Sequence, residues 1–268
     1  MDVQFSSSQL VFGFILAALT GQLAWQVRAL NASGAAAATL VGGFVFGFGG
    51  YPWAALLLVF FISSTALSRL FAGRKQDLEK TFEKGSRRDW GQVAANGGAA
   101  AILALLHALY PEAVWPWLAF GGAMAAVNAD TWATELGVLS KRQPVLITSG
   151  KPVPRGASGG ITPWGTLASL AGAFLVAAVG WAVFPQAGVA GLLPISLGGL
   201  AGSLLDSALG ASLQVIYLNP ETGLETEKRP AKNIPQKRGW PWMNNDLVNF
   251  ISSVGGALVS LTLWAIFQ

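Results

Sequence analysis

Eight long apolar stretches, separated by short polar connections, dominate this sequence. Charged residues make up 11% of the chain and hydrophobic residues 53%, whereas roughly 25% of residues are charged in an ordinary soluble protein. A helix needs about 20 apolar residues to cross a bilayer. The stretches lie near residues 10–27, 35–50, 52–70, 91–110, 115–139, 163–184, 188–217 and 246–267. They predict an all-α, polytopic membrane helix bundle with about eight transmembrane helices, in which residues 1–268 form a single integral membrane domain.

The basic residues fall on one side of this predicted topology. All 17 lysines and arginines lie in the connections after the first, third, fifth and seventh stretches or, for Arg69, at the end of the third stretch. Cytoplasmic loops of membrane proteins are enriched in lysine and arginine. We therefore expect these loops in the cytoplasm and both termini on the non-cytoplasmic side. Stretch 35–50 is glycine-rich and ends at Tyr51-Pro52, so it either spans the bilayer or forms a re-entrant segment.

Acidic residues interrupt two of the apolar stretches. The fifth carries Asp130 and Glu135 in its inner half, together with Asn128 and two threonines, and the seventh carries Asp206. Ionisable groups inside a membrane are costly and usually mark a functional site, although polar contacts between helices are the alternative. The chain has no cysteine and one histidine, so carboxylates are its available metal ligands. Carboxylates select hard cations such as Mg²⁺ or Mn²⁺.

The connection after the fifth stretch is rich in glycine and contains two cations. It reads ITSGKPVPRGASGGITPWG and places Lys151 and Arg155 among the glycines. Thr162-Pro163 is a typical helix start. A glycine-rich loop that leads into a helix N-terminus is a common anion site, although the spacing is not that of a P-loop and a flexible hairpin is the alternative.

Further polar residues lie at the same predicted surface. Arg87 and Arg88 precede the fourth stretch, which carries Asn96, and Asp246 begins the eighth, where helix capping is an equally good interpretation. The charged segment 69–90 is predicted to include a short surface helix. The proline-rich connection 218–244 is interpreted as a linker that could also cover the site.

Five motifs of the chain resemble, in order, those of a widespread integral membrane family that includes the phytyl-phosphate kinases of vitamin E synthesis. The motifs are EKGSRRDWGQVAANGG, NADTWATELG, PVLITSGKPVPRGASGGITPWGTLAS, GSLLDSALGASLQ and NNDLVNF. The resemblance covers about residues 82–250, whereas residues 1–70 match only in hydrophobic character. The family is distantly similar to the CTP-dependent dolichol and phytol kinases.

The resemblance implies Mg²⁺-dependent (or Mn²⁺-dependent) phosphoryl transfer from a nucleoside triphosphate, CTP favoured, to a prenyl phosphate lipid in the bilayer, such as phytyl or geranylgeranyl phosphate. It assigns catalytic roles to Asp130, Glu135, Asp206, Lys151 and Arg155. Metal ligands would be Asp130, Glu135, Asp206 and Asp246. The residues implied in nucleotide or phosphate binding are Gly150, Lys151, Arg155, Ser158, Gly159, Gly160, Arg87, Arg88, Asn96, Asn128, Asn245 and Asn249.

Two other functions are compatible with the same acidic residues. A cytidylyltransferase would join CMP to the lipid phosphate, and a transporter would use the acids as a path for an ion or a phospholipid. The transporter is the weaker alternative, because the outer halves of the stretches are nearly devoid of polar residues. Nucleic acid is not an expected partner, since the basic residues lie at membrane edges, and the oligomeric state is left open.

Overall fold

A computed structural model describes residues 6–71, 87–185, 189–220, 223, 225–231 and 233–267. Within these residues the protein forms seven α-helices. They are α1 (Ser7–Gln26), α2 (Ala32–Leu70), α3 (Trp90–Leu109), α4 (Trp115–Gly137), α5 (Pro163–Val183), α6 (Leu192–Ser212) and α7 (Asn245–Phe267). A 3-10 turn at Val189–Gly191 precedes α6. The predicted fold class, a polytopic helical membrane protein, is confirmed. The surface helix predicted within 69–90 falls mostly at positions 72–86, outside the described residues.

Helix α2 accounts for two of the predicted stretches because it is broken in the middle. Gly50 has φ 73° and ψ −164°, which no helix contains, and Pro52 follows. A straight helix of 39 residues would be about 58 Å long. Instead the Arg69 guanidinium at the end of α2 donates to the carbonyl of Val27, just before α2 begins. The chain therefore reverses at Gly50, and the seven helices cross the bundle eight times.

Helix α4 is the centre of the bundle. Every residue from Pro116 to Ala129 is buried, and α4 packs against α2, α3, α5, α6 and α7. Among the described residues, the other six helices are long and apolar enough to cross a membrane. Because its neighbours shield α4 from lipid, its inner half can carry polar residues that a lipid-facing helix could not.

The connections gather at two opposite ends of the bundle. At one, Arg88 N donates to Ala29 O over 3.1 Å, and Arg238 donates to Ser158 O over 3.2 Å. Every described lysine and arginine lies in or beside these connections, so we call this the basic end. At the other, the aromatic end, Trp53, Trp117, Phe120 and Phe184 pack together.

Two small antiparallel sheets form within the connections at the basic end. Strands β1 (Val145–Leu146) and β2 (Gly160–Ile161) pair across the glycine-rich loop. Strands β3 (Ile216–Leu218), β4 (Glu225–Thr226) and β5 (Gln236–Arg238) form a sheet in the order β4-β3-β5 between α6 and α7. The predicted linker 218–244 is therefore partly a folded sheet.

Candidate active site

A polar cavity of about 340 Å³ opens among α3, α4, α5, α6, α7 and the β1–β2 loop at the basic end. It brings together most of the residues that the sequence singled out. Those that line it are Arg88, Asn96, Asp130, Glu135, Arg155, Ser158, Gly159, Gly160, Asp206, Asn245 and Asn249.

Helix α4 contributes a continuous polar face to this cavity. Asp130, Thr131, Thr134 and Glu135 all line it, because residues four apart lie on the same side of a helix. The Ser68 hydroxyl donates to Glu135 Oε1 over 2.7 Å. Glu135 also interacts electrostatically with the Arg88 guanidinium. Glu135 is therefore tied to the α2–α3 side of the cavity, whereas Asp130 faces the α6 side.

Asp206 reaches the cavity because α6 packs closely against its neighbours. A Cβ on Gly202 would lie 2.8 Å from the Ser252 carbonyl oxygen of α7, and a Cβ on Gly210 would lie 2.7 Å from the Ser158 hydroxyl. These two glycines flank Asp206 and hold its helix against α7 and the glycine-rich loop. Asp206 Oδ2 is buried and has no hydrogen-bond partner among the described residues.

The carboxylates of Asp130 and Glu227 interact electrostatically with that of Asp206. Three acidic groups from α4, α6 and the β3–β5 region therefore share one side of the cavity. Like charges held in a poorly hydrated space repel one another strongly. This arrangement is typical of a site that binds a cation.

The glycine-rich loop forms a neighbouring wall of the cavity, packed against α6. Gly150, Gly156 and Gly159 have positive φ values of 65°, 81° and 84°. At Gly159 a side chain would also overlap Ala211, since a Cβ would lie 2.5 Å from that residue's backbone nitrogen. The loop ends at Thr162, whose hydroxyl accepts from Gly165 N over 3.0 Å and caps α5. Thr162, Gly165 and Thr166 line the cavity, so the positive end of the α5 dipole lies beside it.

Two arginines lie at the cavity edge, each held by hydrogen bonds. Arg155 donates to the carbonyls of Ser140 over 2.6 Å and Val138 over 3.2 Å, beyond the C-terminus of α4. Arg88 donates to the hydroxyls of Ser64 over 3.0 Å and Thr65 over 3.1 Å. Burial lowers the pKa of Arg88 to about 10, and nearby Glu135 opposes that shift. The guanidinium therefore stays charged at neutral pH.

Sequence reasoning missed a polar network that connects the glycine-rich loop to the β3–β5 sheet. Ser158 donates to Gln214 Oε1 over 2.7 Å, and Gln214 Nε2 donates to Glu227 Oε1 over 2.8 Å. Gln214 is almost fully buried at 1% exposure. A glutamate in a polar connection gives no periodic signal, so Glu227 could be found only from the fold.

Five predicted residues lie elsewhere. Asn128 is buried and bonds two neighbouring helices, since its amide donates to Gly172 O and its oxygen accepts from Ser63, both over 2.8 Å. Asp246 lies in the first turn of α7. The other three, Arg87, Gly150 and Lys151, are exposed. None of the five is among the residues that line the cavity.

The acidic side of the cavity fits a hard cation shared with phosphate oxygens. No three carboxylate or imidazole side chains among the described residues lie close enough to bind one metal ion. Mg²⁺, however, usually binds one or two carboxylates and completes its shell with water and substrate phosphates. The buried Asp206 Oδ2 without a partner is a ligand of that kind. Asp130 and Asp206 are the residues that would hold the ion.

The fold and this site define a multi-pass helical membrane protein with a charged cavity at one end of its bundle. The chain belongs to the family described as integral membrane protein DUF92, which it matches over residues 15–257. This confirms the predicted membership in an integral membrane family and extends it into the N-terminal helices.

Three relatives illustrate the breadth of the family. Protein PGR of Arabidopsis thaliana is 33% identical over 91% of this chain and 92% of its own length. An uncharacterised membrane protein of Methanocaldococcus jannaschii is 30% identical over 88% of this chain and 87% of its own. The chloroplastic Protein VTE6 of Arabidopsis thaliana is 27% identical over 88% of this chain and 66% of its own. No solved structure matches the chain.

Proposed function

We propose that this protein is a kinase of prenyl monophosphates, which transfers a phosphoryl group from a nucleoside triphosphate, CTP favoured, to phytyl or geranylgeranyl phosphate. The single observation that carries the proposal is the cavity at the basic end. It combines carboxylates carried by two helices with an arginine-bearing glycine loop that leads into a helix N-terminus. The motif resemblance to phytyl-phosphate kinases supplies the substrate class.

The triphosphate would lie along the glycine-rich loop. Gly159, Gly160 and Thr162 line the cavity beside the start of α5, where the positive end of the helix dipole favours anions. Arg155 lines the same wall, and its fork of donors is suited to phosphate oxygens. Mg²⁺ held by Asp130 and Asp206 would neutralise charge on the β- and γ-phosphates.

The acceptor phosphate would bind at Arg88, on the side of the cavity nearest α2 and α3. In the reaction, a phosphate oxygen of the acceptor attacks the γ-phosphorus. The bond between that phosphorus and the β–γ bridging oxygen breaks, and the nucleoside diphosphate leaves with the electron pair. The acceptor is already ionised, so no strong general base is needed, and catalysis rests on positioning and charge neutralisation. His107, at the far end of α3 and stacked on Trp53, takes no part.

The structure weakens the case for a transporter. The core at the aromatic end is closed by buried side chains, since Trp53 and Trp117 are each 1% exposed and Phe120 is fully buried. A transport path should continue through polar residues to the far side. Cytidylyl transfer uses the same cavity and remains the rival reaction. On the positive-inside rule, the cavity faces the cytoplasm and both termini lie on the other side.

The test is a product assay on the purified full-length protein in detergent. The protein is incubated with Mg²⁺, geranylgeranyl or phytyl phosphate, and CTP, UTP, ATP or GTP in turn. The expected products are a prenyl diphosphate and one equivalent of nucleoside diphosphate, identified by mass spectrometry. A CDP-lipid with pyrophosphate would assign the rival reaction, and absence of turnover with every nucleotide would refute the proposal.

A further inference from the structure

A second cavity, of about 480 Å³, lies between α1, both halves of α2 and α3. Its lining is apolar and includes many small side chains, among them Gly13, Ala17, Ala38, Gly42 and Gly97. Its volume is in the range of small-molecule binding sites. Most of its lining lies within residues 13–61, where the motif resemblance assigns no residue.

The apolar cavity meets the polar one at three residues. Arg88, Gln92 and Asn96 line both. The Arg88 guanidinium lies 5.5 Å from the ring centroid of Phe60 and 5.7 Å from that of Phe61, and both rings line the apolar cavity. One charged group therefore stands where an apolar space joins a polar one.

The shape of the apolar cavity suits a single extended chain. Its lining runs along the second half of α2 from Tyr51 to Phe61, eleven residues that span about 15 Å of helix. Besides the three residues at the junction, the lining contains two hydroxyl groups that already donate hydrogen bonds within the protein. The Thr20 hydroxyl donates to Leu16 O over 2.8 Å, and the Tyr51 hydroxyl donates to Val183 O over 3.4 Å. The junction is therefore where a ligand's polar group would bind.

We propose that this cavity binds the hydrocarbon chain of the lipid phosphate, with the phosphate at Arg88 and the chain extended between α1, α2 and α3 toward the aromatic end. This inference rests on the proposed function and deepens it. The small residues that line the cavity set the chain length and width that the protein accepts. Each chain methylene buried there should improve binding about fourfold.

A pair of substitutions on two different faces of α2 tests the proposal. Ala38 lines the cavity, whereas Ala36, two residues earlier on α2, is exposed and outside it. Ala38→Phe should fill the cavity and weaken binding of a 20-carbon prenyl phosphate at least tenfold, with a smaller effect on a 5-carbon one. Ala36→Phe should bind both within twofold of wild type. Ala55→Leu, at another position of the lining, repeats the test if Ala38→Phe does not fold.

Binding is measured by photolabelling without nucleotide, so that the result does not depend on turnover. The probe is a 20-carbon prenyl phosphate with a diazirine at the chain end, and labelled peptides are mapped by mass spectrometry. We expect label within residues 10–24 and 38–61, protection by geranylgeranyl phosphate, and loss of label in Ala38→Phe alone of the matched pair.

Three results would overturn the inference: label elsewhere in the chain, equal labelling in the two phenylalanine variants, or equal displacement by a diacyl phosphatidic acid, which would indicate a general lipid groove. Specific labelling in a protein that turns over no nucleotide would instead refute the kinase proposal, and it would still support the apolar cavity as the binding site for the hydrocarbon chain.

Discussion

Replacing Asp206 by asparagine should stabilise the protein and abolish its activity. The Oδ2 atom of Asp206 is buried without a hydrogen-bond partner among the described residues, and its charge is repelled by Asp130 and Glu227. A buried polar group that lacks a partner costs about 1–3 kcal/mol. Asparagine removes the charge and with it the repulsion from the two carboxylates, so the free energy of unfolding should rise by about that amount. For a chain of this size, this corresponds to roughly 2–12 °C in Tm.

The same substitution removes one of the two residues proposed to hold the cation. Loss of one preorganised electrostatic group typically costs about 10²–10³-fold in kcat, and we expect at least that loss for Asp206→Asn. Thermal unfolding in detergent and the prenyl phosphate kinase assay give the two readouts. Mg²⁺ with CTP should stabilise the wild type by about 2.7 kcal/mol at a hundredfold excess over Kd, and the Tm should rise accordingly. The Tm of the variant should rise much less.

Glu112→Gln is the matched control, because Glu112 is an exposed acid in the connection between α3 and α4 at the aromatic end. It should change neither Tm nor kcat. If Asp206→Asn lowers the Tm, the hydrogen bond between Ser252 and Asp206 outweighs the repulsion from Asp130 and Glu227. If it keeps more than a tenth of the wild-type turnover, its role in cation binding is wrong.

Three further results follow from the same geometry. Gly159→Ala should lower turnover at least tenfold and reduce the free energy of unfolding by about 2–4 kcal/mol. The reason is that the new Cβ would lie 2.5 Å from the Ala211 backbone and that the residue has a φ of 84°. Unchanged stability would contradict the packing of the loop against α6. Arg155→Met should raise the KM for CTP about 10–100-fold, as expected for loss of a charge-assisted contact. Lys151→Met, at an exposed position outside the cavity, should raise the KM less than threefold. Equal effects of the two substitutions would place the nucleotide elsewhere. The chain has no cysteine, so Lys151→Cys and Glu112→Cys each introduce a single thiol that a membrane-impermeant maleimide can label on intact cells. Only Glu112→Cys should react before the cells are lysed. The reverse pattern would contradict the proposed orientation in the membrane.

The gross fold follows from the sequence because lipid permits few alternatives. Apolar length and the one-sided basic residues predicted eight crossings, and the reversal at Gly50 was already marked by Tyr51-Pro52. The cavity face of α4 was also predictable, since Asp130, Thr131, Thr134 and Glu135 follow helical spacing. What periodicity could not give was the direction of Asn128. Asn128 is two residues from Asp130, so its side chain lies on a different side of α4, where it bonds to α2 and α5.

Contacts that depend on chain connections were beyond the sequence. Gln214 and Glu227 enter the site through the β3–β5 sheet, whose strands are two or three residues long. Such short strands carry no usable alternation pattern. Their pairing is set by tertiary packing at the basic end, through bonds such as those of Arg238 to Ser158 O and Glu225. The apolar cavity likewise depends on how three helices pack and on small residues that are common throughout the chain.

The central claim is that the γ-phosphate of a nucleotide moves to a prenyl phosphate in this cavity. The most direct measurement uses CTP labelled in separate reactions at the α- or the γ-phosphorus, with geranylgeranyl phosphate and Mg²⁺. The kinase account predicts that γ-label alone enters the lipid fraction, as the terminal phosphate of geranylgeranyl diphosphate. Entry of the α-label would contradict it and establish cytidylyl transfer.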